Sequence, residues 1–224
     1  MQRIEFLSKT LMFSGLSDSQ LELLAGLIRE REYEEGQFIV RDNDIVDSLC
    51  LLNNGSVKLT KYSPNGKEQI VHIYSPGEMM GLCTLFTNNL FPANAIALED
   101  SRVYLISKKK LEKIAYKEQS LLLNLVFALS ARLAESMGMV EALSLQKVPQ
   151  RLASFLIYSL TMTDDTQTIR LPFNHLELSR MLGTTPETLS RAFTRLKKEG
   201  TIKIEGSNII IVDLESLKEM IVEL

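Results

Sequence analysis

The stretch that decides the fold runs from Asn174 to Gly200, NHLELSRMLGTTPETLSRAFTRLKKEG. Asn174 can cap a helix, Glu177 follows three residues on, and Leu176, Leu178, Met181 and Leu182 supply an apolar face that stops at Gly183. Thr184 and Thr185 can cap a second helix whose first residue is Pro186, a position where a missing N–H costs nothing. Leu189, Ala192, Phe193 and Leu196 make its inner face, while Glu187, Ser190, Arg191 and Arg195 share the outer one. These residue types suit base edges: arginine bonds guanine O6 and N7 in a fork, a carboxylate accepts from cytosine N4, and serine adapts to either. Lys197, Lys198 and Lys203 have the charge to meet phosphates, and His175 and Thr185 at the two helix starts complete the candidate DNA-binding set. A helical hairpin with a merely solvated charged face is the competing reading. It gives no reason for caps, turn glycine, inner face and outer face to agree.

Here the chain resembles the Crp/Fnr family of bacterial transcription regulators. The family's recognition helix carries Glu-Thr with an arginine three residues after the threonine, matched by Glu187, Thr188 and Arg191. Glu187 with Ser190-Arg191 matches the Fnr-like pattern Glu-x-x-Ser-Arg, which implies TTGA-type half-sites, whereas Pro186 departs from both branches of the family at the outermost base pair. The resemblance implies a homodimeric activator of transcription, with double-stranded DNA, a second copy and RNA polymerase as partners. A cyclic-nucleotide-binding module acting on a partner protein is the alternative, and the outer-face residues argue against it. No nucleophile–base pair, phosphate loop or carboxylate dyad points to an enzyme.

At 224 residues with 45% hydrophobic content the chain has room for two modest cores. Its formal net charge is −3, yet between Arg180 and Lys203 six Lys/Arg stand against two Glu, a local +4 within an acidic chain. Cys50 and Cys83 fit neither a disulfide framework nor a zinc or iron–sulfur spacing. No signal peptide is expected, and apolar runs are expected to break at charges before membrane length, so the expectation is a cytoplasmic protein with no membrane partner.

Residues 1 to about 30 carry Phe6, Leu7, Leu11, Phe13, Leu16, Leu21, Leu23, Leu24 and Leu27 at helical intervals broken at Gly15. From Arg31 to Ser107 the texture turns to short β-rich runs, Phe38–Val40, Ser48–Leu52, Val57–Tyr62, Gln69–Tyr74 and Val103–Ile106, with Gly, Pro and Asn turns between them. Ser107 can cap a helix from Lys108, and a longer helix follows from Gln119. Leu122, Val126, Leu129, Leu133, Val140 and Leu143 on it keep a coiled-coil rhythm, which predicts a dimer seam. A hinge is expected at Leu145–Val148, a helix over Gln150–Leu160, a loop over Thr161–Thr168, a hairpin of Ile202–Glu205 with Asn208–Val212, and a last helix over Glu215–Leu224. The expected fold class is α+β: a β jelly-roll sensing domain over 1–118, a dimerisation helix and hinge over 119–147, and a winged helix-turn-helix over 148–224.

In the family, cyclic AMP needs a glutamate for the ribose and an Arg-Ser pair for the phosphate. Leu82 aligns with the glutamate and Pro92-Ala93 with the pair. A buried phosphate would go unpaired there, which argues against cyclic AMP. The oxygen-sensing branch places an iron–sulfur cluster on N-terminal cysteines, which this chain lacks. What is left is an apolar, sulfur-bearing set, Met79, Met80, Leu82, Cys83, Leu85 and Phe86, with His72 on a nearby strand. The carbon-monoxide-sensing branch has a haem-ligating histidine near the position of Cys83. The overall texture is similar to the nitrosative-stress branch, the regulators of hybrid-cluster protein (HcpR) and of denitrification (DNR). That resemblance implies haem as cofactor, nitric oxide as signal, and His72, Met79, Met80 or Cys83 as iron ligand. Structural filler is the competing reading for each of the four.

Overall fold

The computed structural model describes residues 2–222 apart from Phe86, Asn88, Asn89, 162–166, Pro172, Phe173 and Ser207. The chain divides into two compact units, Met1–Ser136 and Met137–Leu224, and the division falls inside the long helix α4, Gln119–Leu145.

Among the described residues the first unit holds eight strands: β1 Arg29–Tyr33, β2 Phe38–Val40, β3 Ser48–Asn54, β4 Val57–Tyr62, β5 Glu68–Tyr74, β6 Met79–Met80, β7 Asn94–Ala97 and β8 Ser101–Ser107. They form two four-stranded antiparallel sheets in the orders β1-β8-β3-β6 and β2-β7-β4-β5, the jelly-roll expected. Strand β3 shows why both faces of the first sheet are apolar. Leu49 and Leu51 point to one side, where they join residues from the N-terminal helices α1 Gln2–Lys9 and α2 Asp18–Leu27, from α3 Lys108–Ala115, and from α4. Cys50 and Leu52 point to the other side, into the interior between the sheets. Two apolar faces in period two read as one continuous apolar run.

Three strands of this unit escaped the sequence reading. Strand β1 reads Arg-Glu-Arg-Glu-Tyr with four of five residues exposed, and nothing in it signals a strand. It pairs along its length with β8, and Arg102 reaches across to Glu30 at 3.2 Å and Glu32 at 2.9 Å. Strands β6 and β7 are too short to show a period. Gly55 closes the β3–β4 turn at φ 93°, where a Cβ would run into Ser101 and the Asp100 carbonyl, so only glycine fits. Ser107 does not cap α3 with its side chain; the Lys108 N–H donates instead to the Asp47 carbonyl at 2.9 Å.

Helix α4 is the longest test of the expectation about apolar runs, which charge does interrupt at Arg132. It is uncharged from Gln119 to Ala131, and by length and composition it is long and apolar enough to cross a membrane. Its Leu121 and Leu125 nevertheless lie in the core of the first unit, and the Asn124 amide donates to the carbonyls of Met12 (3.1 Å) and Ser14 (2.9 Å).

The second unit comprises α5 Val148–Thr161, β9 Thr168–Arg170, α6 His175–Met181, α7 Pro186–Lys198, β10 Ile202–Glu205, β11 Asn208–Ile211 and α8 Leu214–Val222. The expected hairpin is present and is joined by β9, giving a three-stranded sheet in the order β10-β11-β9. Thr168 therefore belongs to a strand; residues 162–166 of the expected loop lie outside the described residues. Only Gln146 and Lys147 separate α4 from α5, where the hinge was expected, and the Lys147 N–H donates to the Gln150 side chain at 2.8 Å. Leu152, Leu156, Leu178, Leu189, Phe193, Leu196, Ile209 and Leu217 share one core.

Candidate nucleic-acid interface and ligand cleft

The pair α6–α7 is built as its caps dictate. Asn174 Oδ1 accepts the Glu177 N–H at 3.0 Å and Thr185 Oγ1 accepts the Thr188 N–H at 3.3 Å, with Pro186 in the first turn of α7. Between the helices Gly183 takes φ 61°, and the Thr184 N–H closes the turn on the Ser179 carbonyl at 2.9 Å. Leu189, Ala192, Phe193 and Leu196 are buried as expected. On α6 the inner side is narrower than expected: Leu178 and Leu182 are buried, Met181 is half-buried, and Leu176 is 44% exposed. At about 100° per residue Leu176 lies roughly opposite Leu178, whereas Leu178, Met181 and the C-cap Leu182 fall on one side.

Locking the inner face of α7 leaves Glu187, Ser190, Arg191 and Arg195 exposed on its other side, with Lys197 and Lys198 exposed in its last turn and Lys203 exposed on β10. The Glu187 carboxyl is held below the usual carboxylate range, first by its own N–H and then by the Thr185 hydroxyl, with Arg191 adding to the effect. Glu187 is therefore an acceptor at neutral pH. Arg195 Nε pairs with Glu199 at 2.7 Å, one turn on. An exposed i,i+4 pair contributes only about 0.3–0.5 kcal/mol, less than the roughly 1–3 kcal/mol of a bidentate guanine contact, so the pair does not hold Arg195 away from DNA. His175 is exposed, its ring 5.0 Å from that of Phe193.

The effector candidates do not gather as expected. Within the first unit a cleft of about 840 Å³ opens beside α4; its walls include Leu59, Val71, Met79, Leu82 and Cys83, and from α4 Asn124, Phe127, Leu129, Arg132 and Glu135. Met79 and Met80 are neighbours on a strand and so point oppositely: Met79 meets the cleft, while Met80 is 1% exposed in the interior between the sheets. His72 is committed elsewhere, its Nε2 3.0 Å from Glu78 Oε1, its Nδ1 3.9 Å from Glu135 Oε2, and its ring edge-on to Tyr74. The Cys83 thiol is pushed up, chiefly by desolvation, which disfavours the thiolate a metal binds. Burial drives Cys50 further, to about 12. Phe86 lies outside the described residues. This donor set does not fit a resident haem: the imidazole is taken, one methionine faces away, and the thiol is protonated. Among the described residues no group of three or more His, Cys, Asp or Glu could hold a metal ion.

Sequence reasoning missed the α4 side of the cleft. Asn124, Phe127, Ala128, Ala131, Arg132 and Glu135 share one face, and all line it. The available signal was Arg132 itself, the first charge in a long apolar run. Leu129, placed by its rhythm in the dimer seam, also lines the cleft. The other seam residues stay out of the core: Leu122, Val126, Leu133 and Val140 are exposed and Leu143 is half-buried.

Comparison with known proteins gives the class. Residues 30–118 match the cyclic nucleotide-binding domain and residues 150–220 the Crp-like helix-turn-helix domain. The transcriptional activator protein Anr of Pseudomonas protegens is 30% identical over 83% of this chain and 77% of its own length. The transcriptional regulatory protein btr of Bordetella pertussis is 29% identical over 92% of this chain and 87% of its own. FixK2 of Bradyrhizobium japonicum shares the fold, with a TM-score of 0.78 at 23% identity over 86% of this chain and 96% of that one. The chain belongs to the Crp/Fnr family: it is a DNA-binding transcription regulator, not an enzyme.

Proposed function

We propose that the protein is a homodimeric, cytoplasmic activator that reads a TTGA-type palindrome with α7 and answers to a small molecule bound in the cleft beside α4. The observation that carries this is the outer face of α7: Glu187, Ser190 and Arg191 stand exposed together while the opposite face is fixed in the core. Glu187 and Arg191 take base edges. Ser190 selects the TTGA type, Arg195 and His175 flank the reading set, and Thr185, Lys197 and Lys198 meet the backbone. A two-fold protein matches a two-fold site, so the apolar face of α4 with Leu122, Val126, Leu133 and Val140 supplies the dimer seam, and RNA polymerase is the further partner. Three functional segments follow: 1–118 for sensing, 119–147 for dimerisation, and 148–224 for DNA. Leu82 and Pro92-Ala93 argue against a cyclic nucleotide, since their side chains can answer neither a ribose hydroxyl nor a phosphate. Titrating the protein against a TTGA palindrome and a scrambled duplex at two salt concentrations tests the reading. Preference for the palindrome that persists at higher salt is the expected result; equal affinity for both duplexes overturns it.

A further inference from the structure

We propose that the cleft beside α4 takes a small amphipathic carboxylic acid, its apolar body along Leu59, Val71, Met79, Leu82 and Phe127 and its carboxylate at Arg132. This deepens the reading of the cleft as the effector site and rests on it. The argument is a census of the polar end. Glu78 is satisfied on both oxygens: Oε1 meets His72 Nε2 at 3.0 Å and Oε2 accepts the Ser75 N–H at 2.7 Å. Glu135 Oε2 accepts from Arg132 Nη1 at 2.7 Å. Arg132 Nη2 is buried and makes no hydrogen bond of good distance and angle, the Tyr74 side chain acting on the guanidinium only as a weaker polar neighbour. A buried donor left unmatched is costly, and what would match it is an acceptor, preferably charged.

Arg132 is also held in place to receive one. Its guanidinium carbon sits 5.1 Å from the centroid of the Tyr74 ring, and Glu135 grips the other side. Among the described lining residues Arg132 is the only cation, and Glu78 and Glu135 stand beside it. Two carboxylates next to one guanidinium tolerate a single added negative charge and repel a phosphate dianion. The remaining walls are mostly aliphatic, sulfur-bearing and aromatic. Of the other polar groups there, the Asn124 amide donates to the Met12 and Ser14 carbonyls and the Ser136 hydroxyl to the Arg132 carbonyl, so their donors are already engaged within the protein.

The probes are octanoate, octanol and octylamine, which share one chain and differ in head group. Calorimetric titration of the full-length protein is expected to show octanoate binding one per chain and at least about tenfold tighter than the other two. In Arg132→Gln that preference is expected to fall below about threefold. The wild-type comparison needs no variant, so a misfolded Arg132→Gln leaves the test standing. Octanol binding as tightly as octanoate, tighter binding of octylamine, or an undiminished preference in Arg132→Gln overturns the carboxylate assignment. Octanoate binding that leaves affinity for the TTGA duplex unchanged supports the ligand class and breaks the effector reading. No octanoate binding, with duplex affinity still altered by the cleft-filling Ala128→Phe, breaks the ligand class and keeps the effector reading.

Discussion

Helices α7 and α4 both carry apolar stripes, and they spend them differently. In α7 the stripe is Leu189, Ala192, Phe193 and Leu196, each buried in the core of its own unit, and the exposed side is charged. In α4 only Leu121 and Leu125 are buried, and the exposed side is again apolar: Leu122 37%, Val126 51%, Phe127 69%, Leu133 63% and Val140 65% exposed. A charged outer face is stable in water and free to meet a polyanion. An apolar outer face of this length is not at rest until something covers it. The stripe of α7 therefore accounts for folding, whereas much of the stripe of α4 is left for the association proposed above.

The largest effect that tests this difference is on assembly. Leu133→Asp with Val140→Asp puts charge where α4 needs a partner, and sedimentation should show monomers whose affinity for the palindrome is down at least about 100-fold, because two half-sites are no longer held together. A folded double variant that stays dimeric places the seam elsewhere. Next is stability: Leu189→Ala on α7 should cost about 2–5 kcal/mol in denaturant melts, while Leu133→Ala in the monomeric background should cost under about 0.5 kcal/mol. Equal costs would erase the contrast.

Smaller effects concern the charged face. Arg191→Ala should lose about 1–3 kcal/mol on the TTGA duplex and relax preference at one base pair, leaving scrambled DNA untouched. Equal loss on both duplexes would demote Arg191 to a phosphate contact. Lys198→Ala should weaken all duplexes alike and lower the salt slope by about 1, and a loss confined to the palindrome would make Lys198 a reader. Least of all is the titration of Glu187. Its folded pKa is depressed, so the stability it contributes is present above the ordinary carboxylate value and is lost as pH falls through the folded value. In Thr185→Val a carboxyl titration followed by NMR should move up toward the ordinary value; an unmoved titration would assign the depression to the backbone N–H alone.

The reading helix was legible because everything it needs is local. Caps, proline, turn glycine and the two faces of α7 recur within 27 residues, and the 3.6-residue period converts spacing directly into faces. The cleft was legible only in part. Leu82, Met79 and Cys83 lie close in the chain and do line it, but the strand pleat turns Met80 away and Glu78 claims His72. The α4 face with Arg132 comes from a segment some fifty residues downstream of Met79 in the numbering, and no local rule joins the two.

The sequence by itself determined the jelly-roll and helix-turn-helix architecture, the exposed polar and charged face of α7, and the absence of a carboxylate at Leu82 and of a cation at Pro92-Ala93, because propensity, capping and side-chain chemistry act over a few residues. Tertiary structure alone decided that Arg-Glu-Arg-Glu-Tyr is a strand, that neighbouring methionines serve different cores, and that Leu129 lines a cleft. In each of these the deciding contact is with a residue far away in the chain, and a contact between distant segments exists only once the chain has folded.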